Sequence, residues 1–340
     1  MVLIGGRGGV VKIGSGVMFG GNVAIQPGAT VITDQGPIPS PVAVPQASEL
    51  SQTSSFQRDG VTFAKSASAP CSKRVVNSPV AILEDIKDPK SIAVSRNGEI
   101  VVAGGSKGKI MIFSEKFKKL FEKKIQGLSH CPLLIDDTDT ILVFSVLGIT
   151  KFNMELDEIF KVTKRENPDL NEMTNPFGVA LGSRGRFYIA GVKKAHILNA
   201  DLTYHSTFAQ KYQAFDIAVN NDGLVYLPLQ KEQTVRVFSP DGEPLFQFGG
   251  PGRHPLPQFS LMVPMSIAID PKNSNVYVGT GMDCVNVFDK EGKFLEVFGS
   301  KGTEPGEFSG LPAALYIDHN RYIYIGEKSA NRVQIFQLEN

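Results

Sequence analysis

The residues best suited to metal chemistry are few and scattered along this chain. A zinc site needs three or four such ligands brought together, and structural sites show short paired spacings. No such spacing occurs, and three widely separated cysteines form no disulfide framework. The sequence therefore predicts no metal site and no cofactor, and the cysteine usage favours a reducing, intracellular setting. The five histidines and three cysteines are His130, His196, His205, His254, His319, Cys71, Cys131 and Cys284.

Other signals of chemistry have simpler structural interpretations. The glycines from Gly5 to Gly9 precede no strand–helix unit, so they do not predict a phosphate-binding loop. Asp136 could be a buried functional carboxylate, but the polar run Asp136–Asp139 is better explained as an early turn. We therefore expect a protein that is not an enzyme.

Composition indicates a globular chain with a sizeable core. Hydrophobic residues make up 42% and charged residues 20% of the 340 residues, and the formal net charge is +1. A charge this small creates no overall attraction to nucleic acid or membrane, so any such attraction must come from a local face. No apolar run is long enough for a membrane-spanning helix, and the N-terminus lacks the pattern of a secretory signal. We expect no membrane association and a cytoplasmic location.

An internal repeat determines where any functional side chain must lie. Units of about 45 residues, the period of propeller blades, recur along the last three-quarters of the chain. An aliphatic residue stands three places after each start, and the third strand of five units ends in phenylalanine. Each unit reads as four short strands joined by turn signals such as Asn97-Gly98 and Asp222-Gly223. The units begin at Pro89, Pro132, Pro176, Ala214, Pro264 and Pro312, and the phenylalanines are Phe113, Phe152, Phe238, Phe288 and Phe336.

These columns predict an all-β fold, a six-bladed β-propeller of four-stranded antiparallel blades. Small residues at Ala93, Ala180, Ala218 and Ala268 would let the inner strands approach near the axis. The sixth unit lacks a fourth strand, so we expect the apolar segment Val80–Leu83 to supply it and close the ring. The propeller is assigned to residues 61–340. Residues 1–60, rich in Gly, Pro and Ser, are expected to be a flexible tail with short strand-like pieces.

The repeat resembles the NHL family, most closely the C-terminal propellers of animal TRIM-NHL proteins. The motifs that carry the resemblance are Asn331–Phe336, Ile269-Asp270, Ile317-Asp318 and Phe246–Gly249. The resemblance implies a non-catalytic propeller that binds RNA or partner proteins. It departs from full-length members because three cysteines cannot build a RING or B-box segment. A related lyase holds zinc with three histidines at blade entrances, and only His130 occupies such a place here.

The predicted binding site follows from the distribution of charged residues between the two faces of the propeller. Loops between the second and third strands, and connections between blades, share one face of a propeller, and this face is mildly basic here. We expect it to bind a partner protein, with single-stranded RNA as the other candidate; the alternative is a metal-dependent hydrolase or lyase acting at the central channel. A solvated rim with ordinary mixed charge remains an equally good interpretation. The predicted binding residues are Lys107, Lys109, Lys193, Lys194, His196, Lys231, Arg253, His254, Lys328 and Arg332.

Overall fold

A computed structural model describes residues 78–339, except 106–107, 126–131, 174, 210, 251–260 and 262, together with the backbone of seven short strands before residue 65. The chain divides into two compact units, Met1–Lys65 and Ser66–Asn340. Among the described residues there is no helix that is long and apolar enough to cross a membrane.

The first unit contains short strands. Strand β1 pairs in parallel with β3, β2 pairs in parallel with β4, β5 adds to β4, and β6 and β7 form a hairpin. The predicted flexibility of residues 1–60 stays a prediction. The strands are β1 (Val2–Ile4), β2 (Val10–Ile13), β3 (Val23–Ile25), β4 (Thr30–Thr33), β5 (Gly36–Pro37), β6 (Ser55–Arg58) and β7 (Val61–Ala64).

The second unit is a six-bladed β-propeller of four-stranded antiparallel blades, as the repeat predicts. Strand β8 (Ala81–Leu83) precedes the first blade. Blade 1 has β9 (Pro89–Val94), β10 (Ile100–Gly104), β11 (Lys109–Phe113) and β12 (Lys119–Lys124). Blade 2 has β13 (Leu133–Ile135), β14 (Ile141–Ser145), β15 (Gly148–Phe152) and β16 (Glu158–Thr163). Blade 3 has β17 (Gly178–Leu181), β18 (Phe187–Ala190), β19 (Ala195–Leu198) and β20 (Tyr204–Phe208).

The remaining blades follow the same order. Blade 4 has β21 (Ala218–Val219), β22 (Val225–Leu229), β23 (Thr234–Phe238) and β24 (Pro244–Gly249). Blade 5 has β25 (Ser266–Ile269), β26 (Val276–Thr280), β27 (Cys284–Phe288) and β28 (Phe294–Phe298). A short parallel pair, β29 (Ser300–Lys301) and β30 (Glu307–Phe308), leads to blade 6, with β31 (Pro312–Ile317), β32 (Tyr322–Glu327) and β33 (Arg332–Gln337). Two 3-10 helices lie at Pro168–Glu172 and Ser183–Gly185.

The core consists of apolar clusters that fill the space between each pair of neighbouring blades. The five phenylalanines that end the third strands are all buried, none more than 6% exposed. Ala93, Ala218 and Ala268 are buried on the inner strands, where larger side chains would hold neighbouring blades apart. Because each sheet leaves two apolar faces bare, the blades are stable only when stacked on one another.

The ring is closed by β8, which pairs antiparallel with β33 as the outer strand of blade 6. The register places Leu83 opposite Val333 and Ala81 opposite Ile335. Leu83 is buried, and it packs in the cluster between blades 6 and 1. The predicted closure through Val80–Leu83 is therefore confirmed.

Candidate binding face and central channel

The upper face of the propeller is defined here by the loops between the second and third strands of each blade and the connections between blades. Three of the predicted basic residues are exposed on it, Lys193 before β19, Lys231 before β23 and Lys328 before β33. Lys107, Arg253 and His254 lie outside the described residues. Of the other four predicted residues, Lys109, Lys194 and Arg332 are engaged in contacts within the chain, and His196 is buried.

Lys109 and Lys194 are engaged with carboxylates. The Nζ of Lys109 donates to Glu122 Oε1 at 2.5 Å, and the Nζ of Lys194 donates to Glu172 Oε2 at 2.5 Å. The hydrogen bond from Lys109 is the main cause that lowers the pKa of the Glu122 carboxyl, and the bond from Lys194 does the same for Glu172. Each lysine is therefore locally neutralised, which reduces the net positive charge of the face.

Arg332 holds the connection between blades 5 and 6. Its Nε donates to Glu327 Oε1 at 2.7 Å, and its Nη2 donates to the carbonyl of Glu307 at 2.9 Å. Glu327 is fully buried and also accepts from Gln334 Nε2 at 2.7 Å. The Arg332 guanidinium thus stabilises the fold of this connection, and little of it remains to contact a ligand.

His196 is buried, contrary to the expectation that it lies on the binding face. It is the second residue of β19, and the register of that strand turns its ring inward, where it is 1% exposed. Neither ring nitrogen has a hydrogen-bond partner in the described part of the chain. Burial, helped by the charge of Lys194, lowers the pKa of His196 to about 4. A neutral, enclosed imidazole makes no contact at the surface.

An exposed apolar hairpin tip on the upper face was missed by the sequence reasoning. Val146 and Leu147 join β14 to β15 and are 42% and 57% exposed. The tip is held by Ser145 Oγ, which accepts from the Leu147 N–H at 3.2 Å and donates to the Gly148 carbonyl at 3.1 Å. The signal was available, because two aliphatic residues occupy a turn in which polar residues are the usual choice.

A central cavity of 310 Å³ is lined by the inner strands of all six blades. Asp216, just before β21, reaches into it. Its Oδ1 accepts from the Ile217 N–H, and its Oδ2 accepts from the Ile267 N–H of blade 5, both at 2.9 Å. Burial is the largest effect on this carboxyl and raises its pKa to about 7, although the two backbone N–H groups act in the opposite direction.

Asp216 belongs to a column of residues that connect neighbouring blades near the start of their inner strands. Ser91 Oγ accepts from the Leu133 N–H of blade 2 at 3.1 Å, and Ser266 Oγ donates to the Pro312 carbonyl of blade 6 at 2.6 Å. All three stand two residues after a blade start, so their alignment is visible in the sequence. Their cross-blade hydrogen bonds are not, because these depend on how closely the inner strands approach.

The remaining chemistry signals give no catalytic arrangement in the described residues. No three His, Cys, Asp or Glu side chains there come together as a metal site, and His130, Cys131 and His254 lie outside them. The segment Gly104–Gly108 has Gly-x-Ser-x-Gly spacing. Its flanking strands β10 and β11 pair with each other as a hairpin, whereas a nucleophile elbow requires a strand followed by a helix.

Comparisons with known proteins identify the fold alone. No protein-family model and no curated protein matches the chain. A solved streptogramin B lyase matches with a TM-score of 0.52 and 15% identity over 77% of this chain and 86% of that one. A protein of unknown function from Bacteroides thetaiotaomicron matches with a TM-score of 0.58 and 13% identity, over 83% of this chain and 80% of that one. The third structure is a catalytically inactive histidine-to-alanine variant of virginiamycin B lyase from Staphylococcus aureus, solved with quinupristin. It matches with a TM-score of 0.54 and 14% identity, over 76% of this chain and 89% of that one. This chain is a six-bladed β-propeller.

Proposed function

We propose that this propeller is a non-catalytic binding platform of the NHL type whose upper face holds a partner protein. The observation that carries the proposal is the exposed tip Val146–Leu147 in blade 2, followed round the ring by exposed Lys193 in blade 3 and Lys231 in blade 4. Exposed aliphatic side chains at a loop tip gain free energy when a partner buries them. Charged residues around such an anchor contribute orientation and association rate.

Single-stranded RNA is less well supported by this surface. Stacking of bases requires exposed aromatic rings or arginine planes. In the described part of the chain the exposed phenylalanine and tyrosine side chains are Phe121, Phe160 and Phe246, and they lie on the outer strands β12, β16 and β24. Exposed Arg165, after β16, offers one guanidinium plane on the upper face. Pairing of Lys109 and Lys194 with carboxylates further reduces the charge that phosphates could use.

The test compares two substitutions of exposed leucines. Leu147→Glu changes the upper-face tip, and Leu245→Glu changes a leucine of similar exposure, 52%, on the outer strand of blade 4. A partner captured by the wild-type chain and then purified should bind Leu147→Glu at least about tenfold more weakly, a loss of about 1.4 kcal/mol. It should bind Leu245→Glu with unchanged affinity. Equal affinity for all three proteins would contradict the proposed face.

Two further measurements separate the alternatives. Filter binding of single-stranded RNA at 50 and 200 mM salt should show no salt-sensitive binding at micromolar protein, and strong salt-sensitive binding would favour RNA as the ligand. Metal analysis of the purified protein addresses the hydrolase or lyase alternative. Stoichiometric zinc or calcium would favour that activity over a binding platform.

A further inference from the structure

The central cavity has the size of a small-molecule site. Its volume of 310 Å³ is at the lower end of the range for ligand pockets, about 300–1,000 Å³. At the upper face its mouth is formed in part by Phe177, whose ring lies 5.0 Å from that of Phe215. Both rings are half-buried, so an entering molecule would meet aromatic surface first.

Most side chains that line the cavity are apolar, and the polar side chains among them are mostly engaged elsewhere. Ser91 bonds to Leu133 of the next blade, and Asn221 Nδ2 donates to the Pro271 carbonyl at 2.7 Å. Asn220 Oδ1 accepts from the Leu224 N–H at 2.8 Å. These groups complete turns and blade contacts, and they offer little to a polar guest.

Asp216 differs from these groups because its charge has no counterion. Among the described cavity-lining residues the other charged side chain is Lys90, whose Nζ pairs with Asp88 Oδ2 at 3.2 Å. Lys90 belongs to blade 1 and Asp216 to blade 4, so the two residues lie on opposite sides of the six-bladed propeller. Each Asp216 oxygen accepts one backbone N–H, although a carboxylate offers about four acceptor sites. A carboxylate without a counterion in a partly enclosed cavity loses part of its hydration, and a cationic guest would offset that cost.

The inner strand of blade 3 is shaped to admit this carboxylate. A Cβ at Gly178 would lie 2.8 Å from Asp216 Oδ1 and 2.5 Å from its Cα, so a side chain there would displace the aspartate. Phe177 directly precedes Gly178, and its ring packs against Phe215, the residue that precedes Asp216. Ring faces attract cations, so the aromatic mouth and the carboxylate favour the same kind of guest.

We propose that the central channel binds a small, largely apolar organic cation, an alkylammonium or aralkylammonium, whose ammonium group is held by the Asp216 carboxylate. The three N–H donors of a primary ammonium fit the free acceptor sites of Asp216. The hydrocarbon part lies against the apolar side chains of the channel toward the Phe177 mouth. This site is separate from the upper-face tip, and its ligand need not be the partner protein.

The experiment measures binding of hexylammonium and of neutral hexanol to the full chain at pH 8 by calorimetry. The matched variant is Asp216→Ser, because Ser91 and Ser266 show that serine in this column still connects neighbouring blades. A control is Asp283→Asn, which removes a carboxylate paired with Lys301 on the upper face. Wild-type protein and Asp283→Asn should bind hexylammonium at least about tenfold more tightly than hexanol.

Asp216→Ser should bind the two compounds with similar affinity while retaining its circular dichroism spectrum. If this variant does not fold, Asp216→Asn provides the same comparison. Failure of the folded wild-type protein to bind millimolar hexylammonium would overturn the proposal. So would an ammonium preference that survives in the folded Asp216 variant.

Discussion

Asp216 is the residue whose chemistry departs most from its surroundings, and it should make stability depend on pH. Its pKa in the folded state is about 7, compared with an ordinary value of 3.8. The folded chain therefore holds this proton more tightly than the unfolded chain does. The stability contributed by the protonated form is complete below about pH 4, decreases as pH rises toward 7, and is lost above it.

Asp216→Ser removes this titration and supplies the measurement. The free energy of unfolding of the variant, minus that of the wild type, should increase between pH 5 and pH 7, by at most about 1.4 kcal/mol per pH unit. Water in the channel will reduce this figure. Urea titrations at pH 5, 6, 7 and 8 on both proteins provide the comparison, since all other titrating groups are shared. A difference independent of pH would show that Asp216 is charged throughout.

The exposure of individual side chains at the site could not be predicted from the sequence. His196 and Lys194 are two residues apart and were assigned to the same face, yet one is buried and the other pairs with Glu172. Which of them reaches solvent depends on where β19 begins and which way its pleat faces. Those properties follow from pairing with β18 and β20, which the local sequence does not specify.

Strand β8 is the element on which ring closure depends, and its contribution can be measured with two nearby residues. Leu83 is 3% exposed and packs between blades 6 and 1, whereas Val80, just before the strand, is 50% exposed. Leu83→Ala should lower the free energy of unfolding by about 2–4 kcal/mol, because it leaves a cavity in a packed core. Val80→Ala should change it by less than about 0.5 kcal/mol. Equal effects in chemical denaturation would mean that β8 is not a structural part of blade 6.

The strands of the propeller and their order are largely predictable from the sequence. Predicted starts at Pro89 and Pro312 coincide with the first residues of β9 and β31, and the predicted closing segment contains β8. These features are encoded locally by alternating apolar residues and turn signals. The fourth blade is less regular, since its predicted start, Ala214, makes an isolated bridge with Leu229 before β21 begins at Ala218. The motifs in blades 4 to 6 that resemble the NHL family describe blade geometry, and they carry little information about a ligand.

A buried ion pair connects blades 5 and 6 of the propeller near the C-terminal end of the ring. Arg321, in blade 6, donates from Nε and Nη2 to Asp270 Oδ2 of blade 5 at 2.9 and 2.7 Å. Its Nη1 donates to the carbonyl of Glu339 at 2.6 Å. Asp270 is fully buried, so this guanidinium connects two blades and the last described residue of the chain in one desolvated cluster.

Breaking this cluster should destabilise the entire ring, because every blade depends on its two neighbours. Asp270→Asn leaves the Arg321 charge buried without a carboxylate, and the expected loss in the free energy of unfolding is about 3 kcal/mol. The matched control is Glu291→Gln, since Glu291 and Lys290 form an exposed pair 3.9 Å apart whose loss should cost less than about 0.5 kcal/mol. Calorimetry should show one unfolding transition for the propeller in both variants, shifted to lower temperature only in Asp270→Asn. Two separate transitions in that variant would show that blades 5 and 6 unfold independently of the others.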